Sequence, residues 1–138
     1  MFLLDTNVVS ELRKPKPHGQ VVRWIRTLEE EQIFLSAVSI GEIQRGIEIT
    51  RRNDPTRANQ LQDWLLDVES AWNILPVDAA CFRIWARQMH RRPEALALDG
   101  MIAATAISNG LRVATRNVKD FVHFDVEVVN PFDPAGIA

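Results

Sequence analysis

The chain carries the stretch Phe2-Leu3-Leu4-Asp5-Thr6-Asn7 at its start. An apolar run that ends in an acid and turn-favouring residues is typical of a short buried β-strand. In an open parallel sheet, ligands bind just beyond the carboxyl ends of the strands. If this strand is central, Asp5 lies where chemistry is expected.

Short apolar runs alternate with helical patterns along the rest of the chain. Helical spacing predicts helices over residues 18–31 and 99–109, and others from Ser39, Pro55 and Asp78. The other candidate strands are residues 33–35, 74–77, 112–115 and 126–129. This alternation predicts an α/β protein, with a three-layer α/β/α fold around a central parallel sheet of four to five strands. We expect residues 1–138 to form a single domain, since no linker or repeat interrupts the pattern.

The composition excludes several classes of protein. The formal net charge of −2 excludes the large basic excess of many nucleic-acid-binding proteins, so RNA or DNA contacts must come from local patches. The single cysteine, Cys81, lies in an apolar helical stretch and is predicted to be a buried thiol. No stretch has the length of a membrane-spanning helix, and no basic leader with an apolar core opens the sequence, so we expect a cytoplasmic protein.

Three further acids share the context of Asp5, because each follows a predicted strand or lies at the start of a helix: Glu42, Asp99 and Asp120. Each also has a structural interpretation. Ser39 would be the N-cap and Glu42 the third residue of a capping box, Asp99 would cap its own helix, and the stretch 117–120 would cap the short helix before Phe121. Helix starts that follow parallel strands gather at one edge of a sheet, so both interpretations predict that the acids cluster there.

A cluster of carboxylates is unstable unless a cation or protons neutralise it. Two carboxylates ~4 Å apart repel by about 4 kcal/mol at an effective dielectric constant of 20. Oxygen ligands alone favour Mg²⁺ or Mn²⁺, whereas the three histidines show no paired spacing for zinc. Metal and carboxylates without a phosphate-binding glycine loop indicate phosphodiester hydrolysis by an activated water.

These motifs, taken in order, resemble the PIN-domain nucleases, and in particular the VapC-like toxin ribonucleases of bacterial type II toxin-antitoxin systems, with an opening block close to the FitB-like branch. The resemblance is carried by residues 3–7, 35–42, 99–104 and 115–121. It implies that Asp5 and Asp99 are the principal ligands of Mg²⁺ or Mn²⁺ and that Glu42 is the third acid. The fourth position is filled by Asn117 or by Asp120, and the neutral Asn117 favours Asp120.

The same resemblance implies supporting residues, a substrate and partners. Thr6, Asn7 and Thr115 would line or support the acids, and Arg116 would face the RNA substrate. The partners implied are a cognate antitoxin with a DNA-binding domain, operator DNA through that antitoxin only, and a second copy in a homodimer or larger assembly. Further candidates for RNA contacts are Arg87, Arg91 and Arg92, whereas Arg51 and Arg52 fit a solvated helix face and the tryptophans mostly fit the core.

Two other functions fit parts of the sequence. A phosphatase similar to the haloacid dehalogenases also opens with an apolar strand into an aspartate, but it needs a second aspartate where Asn7 stands. A catalytically inactive PIN-like binding module would have lost acids, whereas here every acidic position can be filled.

Overall fold

The structure, a computed structural model, describes residues 1–136. Five strands form one sheet in which every pairing is parallel. They are β1 (Phe2–Leu4), β2 (Ile33–Ser36), β3 (Asn73–Leu75), β4 (Arg112–Ala114) and β5 (Val128–Val129). Their order is β3-β2-β1-β4-β5, which puts β1 in the middle and the Pro76 end of β3 at an edge. The predicted parallel α/β architecture is confirmed.

Helices fill the connections, because a parallel strand pair requires a crossover. They are α1 (Thr6–Leu12), α2 (Gly19–Ile25), α3 (Ala37–Arg51), α4 (Pro55–Ala71), α5 (Ala79–Met89), α6 (Ala97–Ser108) and α7 (Val118–Phe121), with single 3-10 turns at Glu30–Gln32, Glu94–Leu96 and Pro134–Gly136. Within residues 1–136, none of the helices is long and apolar enough to span a membrane.

Alternate residues of β1 face the two sides of the sheet and divide the core. Phe2 and Leu4 pack with one set of helices, from α1, α2 and α4. Leu3 packs with the other set, through side chains of α6 and α7 such as Ile102 and Phe121. Both faces of β1 are therefore covered, as the three-layer prediction requires, and the residue that follows β1 is held at the carboxyl edge of the sheet.

Two predicted helix starts are wrong by two or three residues. Ser36 rather than Ser39 is the N-cap of α3, because Ser36 keeps an extended backbone at the end of β2 and its hydroxyl accepts from the Val38 N–H at 3.2 Å. Asp99 does not cap α6, since the preceding 3-10 turn leads directly into a helix that begins at Ala97. In the stretch 117–120, Asn117 is the N-cap of α7 and Asp120 lies inside the helix.

Gly100 allows α5 to approach α6 closely beside Asp99. A Cβ atom at Gly100 would lie 2.7 Å from the Met89 sulfur and 3.4 Å from the Phe124 ring. A side chain here would push Met89 aside, so the glycine sets how deeply the first turn of α6 lies against its neighbours.

Candidate active site

Asp5 follows β1 directly and is only 4% exposed. Its Oδ1 accepts from the Thr6 N–H at 2.8 Å, and its Oδ2 accepts from the Thr115 hydroxyl at 2.7 Å and from Asn7 Nδ2 at 3.2 Å. Burial raises the pKa of Asp5 above its usual range, the hydrogen bonds from Thr115 and Thr6 oppose that rise, and the charge of Asp120 adds to it. The carboxylate is thus fixed in one orientation but carries an unfavourable charge.

The loop after β4 is tied to the first turn of α1. Thr115 Oγ1 accepts from the Asn117 N–H at 2.9 Å, and Asn7 Oδ1 accepts from the Arg116 N–H at 3.3 Å. Thr115 and Asn7 each contact Asp5 as well, so one network joins two neighbouring strand ends. Sequence analysis placed Thr6, Asn7 and Thr115 around the acids, and the structure brings all three to Asp5.

A hydroxyl pair positions Glu42. Thr6 Oγ1 lies 2.9 Å from both Glu42 Oε1 and Ser39 Oγ, and its one hydrogen serves one acceptor at a time. Burial raises the pKa of Glu42, the hydrogen bond from Thr6 opposes this, and the charge of Asp5 contributes to the rise. Ser39, interpreted above as a cap, is instead a buried partner of Thr6. Its spacing of three residues from Glu42 places both on one helix face and is the signal that could have indicated this.

Asp99 carries the largest perturbation of the four acids. Its side chain makes no hydrogen bond within residues 1–136, and burial raises its pKa to about 6, with further contributions from the charges of Asp5, Asp120 and Glu42. Of the two candidates for the fourth position, Asp120 adds its charge to this field, whereas Asn117 contributes a backbone N–H to Thr115. The acids gather at the carboxyl edge of the sheet, as predicted.

The donor set suits a hard divalent cation. The acids and the side chains bonded to them offer carboxylate, hydroxyl and amide oxygens, with no histidine or cysteine among them. A cation would stabilise the charged form of Asp99, which burial and the neighbouring acids disfavour. No three acids, histidines or cysteines of residues 1–136 lie close enough together to enclose an ion by themselves. A Mg²⁺ site need not enclose its ion in this way, because Mg²⁺ usually keeps several waters and takes substrate phosphate oxygens alongside one or two carboxylates.

The sequence profile of the PIN domain matches residues 2–127. This chain belongs to the PIN-domain family. The family assignment removes the phosphatase similar to the haloacid dehalogenases as an explanation of the opening strand and Asp5.

Similar proteins cover the PIN domain almost end to end. Toxin FitB of Neisseria gonorrhoeae is 37% identical over 96% of this chain and 99% of its own length. The VapC ribonuclease Y4jK of Sinorhizobium fredii is 33% identical over 98% of this chain and all of its own. The FitAcB crystal structure from Neisseria gonorrhoeae superposes with a TM-score of 0.85 at 36% identity, covering 96% of this chain and 99% of that one. The structure of FitAB bound to an IR36 DNA fragment superposes with a TM-score of 0.83 at 35% identity, covering 96% of this chain and 96% of that one.

The basic and aromatic side chains of this PIN domain are divided between the surface and the core. Arg116 is exposed and its guanidinium lies 4.5 Å from the centroid of the Phe132 ring. Arg51 binds Glu48 and Asn59, as expected of a solvated helix face. The structure confirms buried positions for Trp24 and Cys81.

Two buried hydroxyls join the helices that carry Glu42 and Asp99. Ser36 and Thr105 are fully buried and their oxygens lie 3.0 Å apart. Thr105 donates to the Met101 carbonyl at 2.8 Å, so Ser36 supplies the hydrogen between them. Sequence analysis missed this pair. The signal was the position of Ser36, which follows β2 as Asp5 follows β1.

Thr105→Val should lower the free energy of unfolding by about 1 to 3 kcal/mol, because it leaves the buried Ser36 hydroxyl without an acceptor. Thr105→Ser keeps the hydroxyl and is the control. Adding Ser36→Ala removes the orphaned group, so the double variant should cost less than the sum of the singles. Urea denaturation compares five proteins: the wild type, Thr105→Val, Ser36→Ala, the double variant and the Thr105→Ser control. Strict additivity would contradict a direct bond between the two residues.

Proposed function

We propose that this PIN domain is a Mg²⁺- or Mn²⁺-dependent endoribonuclease and the toxin of a type II toxin-antitoxin pair. The observation that carries the proposal is the convergence of Asp5, Glu42, Asp99 and Asp120 at the carboxyl edge of the sheet, where burial and the charges of the other three acids raise the pKa of Asp99 to about 6. The similarity to a VapC ribonuclease and to toxin FitB supports RNA as the substrate and toxicity as the consequence. The cytoplasm, where RNA is accessible, is the proposed compartment.

Asp5 and Asp99 are the proposed principal metal ligands, with Glu42 and Asp120 completing the acidic set. When bound, the cation supplies positive charge to the phosphodiester and to the water that attacks it. Thr115 and Asn7 hold the Asp5 carboxylate in place through their hydrogen bonds. These hydrogen bonds reduce the reorganisation of the Asp5 carboxylate that cation binding would otherwise require.

Glu42 is the proposed acceptor of the proton released by the attacking water. Thr6 fixes Oε1 of this side chain, and Oε2 makes no hydrogen bond within residues 1–136. A pKa raised by burial makes the carboxylate a better base than an exposed glutamate. The unbonded Oε2 is therefore the atom that takes the proton.

Partners follow from the relatives. FitAB has been solved bound to DNA, at 35% identity to this chain. With a net charge of only −2 and no basic excess, this chain has little attraction for DNA of its own. We propose that it binds a cognate antitoxin, reaches operator DNA only through that antitoxin, and forms a homodimer or a larger toxin-antitoxin assembly.

The function is tested by incubating the purified chain with total RNA in Mn²⁺ or in EDTA and sequencing the RNA ends. Cleavage is expected only with metal, and it should be absent from Asp5→Asn. Attack by water leaves no 2′,3′-cyclic phosphate, whereas a contaminating metal-free ribonuclease that uses the RNA 2′-hydroxyl does. Failure to cut RNA together with failure to bind Mn²⁺ would favour the inactive binding module.

A further inference from the structure

A cavity of about 330 Å³ lies beside the acids, between α1, α3 and α4. Thr6 and Glu42, both part of the candidate active site, lie in its wall. Its wall also includes Arg13, Ile43, Ile47 and Trp64. A ligand in this cavity would therefore contact the candidate active site through Thr6 and Glu42.

Arg13 is a cation without a structural role. It is the C-cap of α1 and is exposed. Within residues 1–136 it makes neither an ion pair nor a side-chain hydrogen bond, whereas Arg51 on the neighbouring α3 binds both Glu48 and Asn59. An acidic site repels RNA, so a free guanidinium at the rim offers the positive charge that a phosphate requires.

Trp64 offers the cavity an aromatic wall. The indole N–H of Trp85 donates to the Ala97 carbonyl at 3.0 Å. That of Trp64 has no acceptor within residues 1–136, and no buried polar side-chain atom there lacks a partner, so it reaches solvent. Ile43 and Ile47 line the same space. Trp64 and the isoleucines give one side of the cavity an apolar, partly aromatic surface, which suits a nucleobase better than a charged group.

We propose that this cavity binds one unstacked nucleotide of single-stranded RNA next to the scissile phosphodiester, with its base against Trp64 and its phosphate at Arg13. The inference rests on the proposed ribonuclease function and adds a base-binding site to it. The volume is at the lower end of the range for small-ligand pockets, about 300 to 1,000 Å³, which suits one nucleotide. RNA is favoured over a protein segment because the cavity is lined both by Glu42 of the candidate active site and by the cation of Arg13, which is unpaired within the described residues.

Fluorescence anisotropy distinguishes the proposed base contact at Trp64 from the proposed phosphate contact at Arg13. The full chain is titrated in EDTA into five labelled octamers: the four RNA homopolymers and an abasic ribose-phosphate octamer. At least one homopolymer should bind about ten-fold more tightly than the abasic octamer. Trp64→Leu should remove that ratio. Arg13→Gln should keep the ratio, weaken all binding about five-fold and lower the salt slope by about 0.7. Arg26→Gln is the matched control, an exposed C-cap arginine of the equally short α2, and should change nothing.

Equal binding of homopolymers and the abasic octamer overturns the nucleotide site, as does an unchanged ratio in folded Trp64→Leu. Should that variant fail to fold, photocrosslinking of a 4-thiouridine octamer to the wild-type chain decides, and crosslinks outside α1, α3 and α4 overturn the proposal. Metal-dependent RNA cleavage without base-dependent binding would overturn this inference and leave the proposed function standing. A wild-type chain that neither binds nor cuts RNA would overturn both.

Discussion

Asp99→Asn should abolish RNA cleavage and at the same time stabilise the metal-free protein. The carboxylate is a proposed metal ligand, and losing ~4 kcal/mol of charge stabilisation in the transition state slows cleavage by about 10³-fold. In the absence of metal the same charge is unfavourable, because burial and the charges of Asp5, Asp120 and Glu42 raise its pKa to about 6. Discounted for partial exposure, its removal should add about 1 kcal/mol of stability, or about 3 °C in Tm.

The measurement compares the wild-type chain, Asp99→Asn and Asp63→Asn. Asp63 is an exposed acid on α4 with no place in the acidic cluster, so its variant controls for the loss of one negative charge. Melting temperatures in EDTA should rank Asp99→Asn above the other two. Excess Mn²⁺ should raise the Tm of the wild type and of Asp63→Asn only, because a ligand that binds the native state stabilises it. A lower Tm for Asp99→Asn, or undiminished cleavage, would contradict the assignment.

Opposite effects on activity and stability distinguish a functional acid from a structural one. Glu11 is more deeply buried than Asp99, but Lys14 binds it at 2.9 Å and the resulting hydrogen bond lowers the pKa of Glu11. Asp99 has no such partner among the described residues. An acid that destabilises the free protein is typical of a functional site, where activity is retained at the expense of stability.

The sequence was sufficient for the fold class because its signals are local. The alternation of short apolar runs with helical spacing defines strands, crossovers and their parallel arrangement, and the two faces of β1 follow from the alternation of Phe2, Leu3 and Leu4. The predicted starts of the helices were less accurate than the predicted fold class. Ser36, Ser39, Asp99 and Asp120 can all act as caps, and the choice depends on where the preceding strand or 3-10 turn ends in three dimensions.

The acidic cluster was predictable and the contacts that organise it were not. The backbone topology of a parallel sheet alone brings Asp5, Glu42 and Asp99 to one edge, independently of the contacts that their side chains make. The Thr6 to Ser39 contact and the Ser36 to Thr105 contact join residues 33 and 69 positions apart, and no pattern along the chain specifies such pairs. Their discovery required the packed structure.

The pH dependences of stability and of cleavage should run in opposite directions. The pKa of Asp99 is raised from 3.8 to about 6 in the folded protein, so between these values the folded state binds more protons than the unfolded state. Stability from this group is present at low pH and is lost as pH rises through the window. The Tm advantage of Asp99→Asn in EDTA should therefore be near zero at pH 4 and reach its full value above pH 6.

Cleavage should instead rise with pH over the same window, because a protonated carboxyl is a poor metal ligand. At subsaturating Mn²⁺ the initial rate should fall about ten-fold for each pH unit below 6. The fall should be steeper where Asp5 and Glu42, whose pKa values are also raised, take up protons. Saturating Mn²⁺ should move the midpoint to lower pH, since the cation competes with the proton for the same oxygens. If the pH midpoint of cleavage does not change with Mn²⁺ concentration, the titrating group belongs to the RNA-binding surface rather than to the metal site.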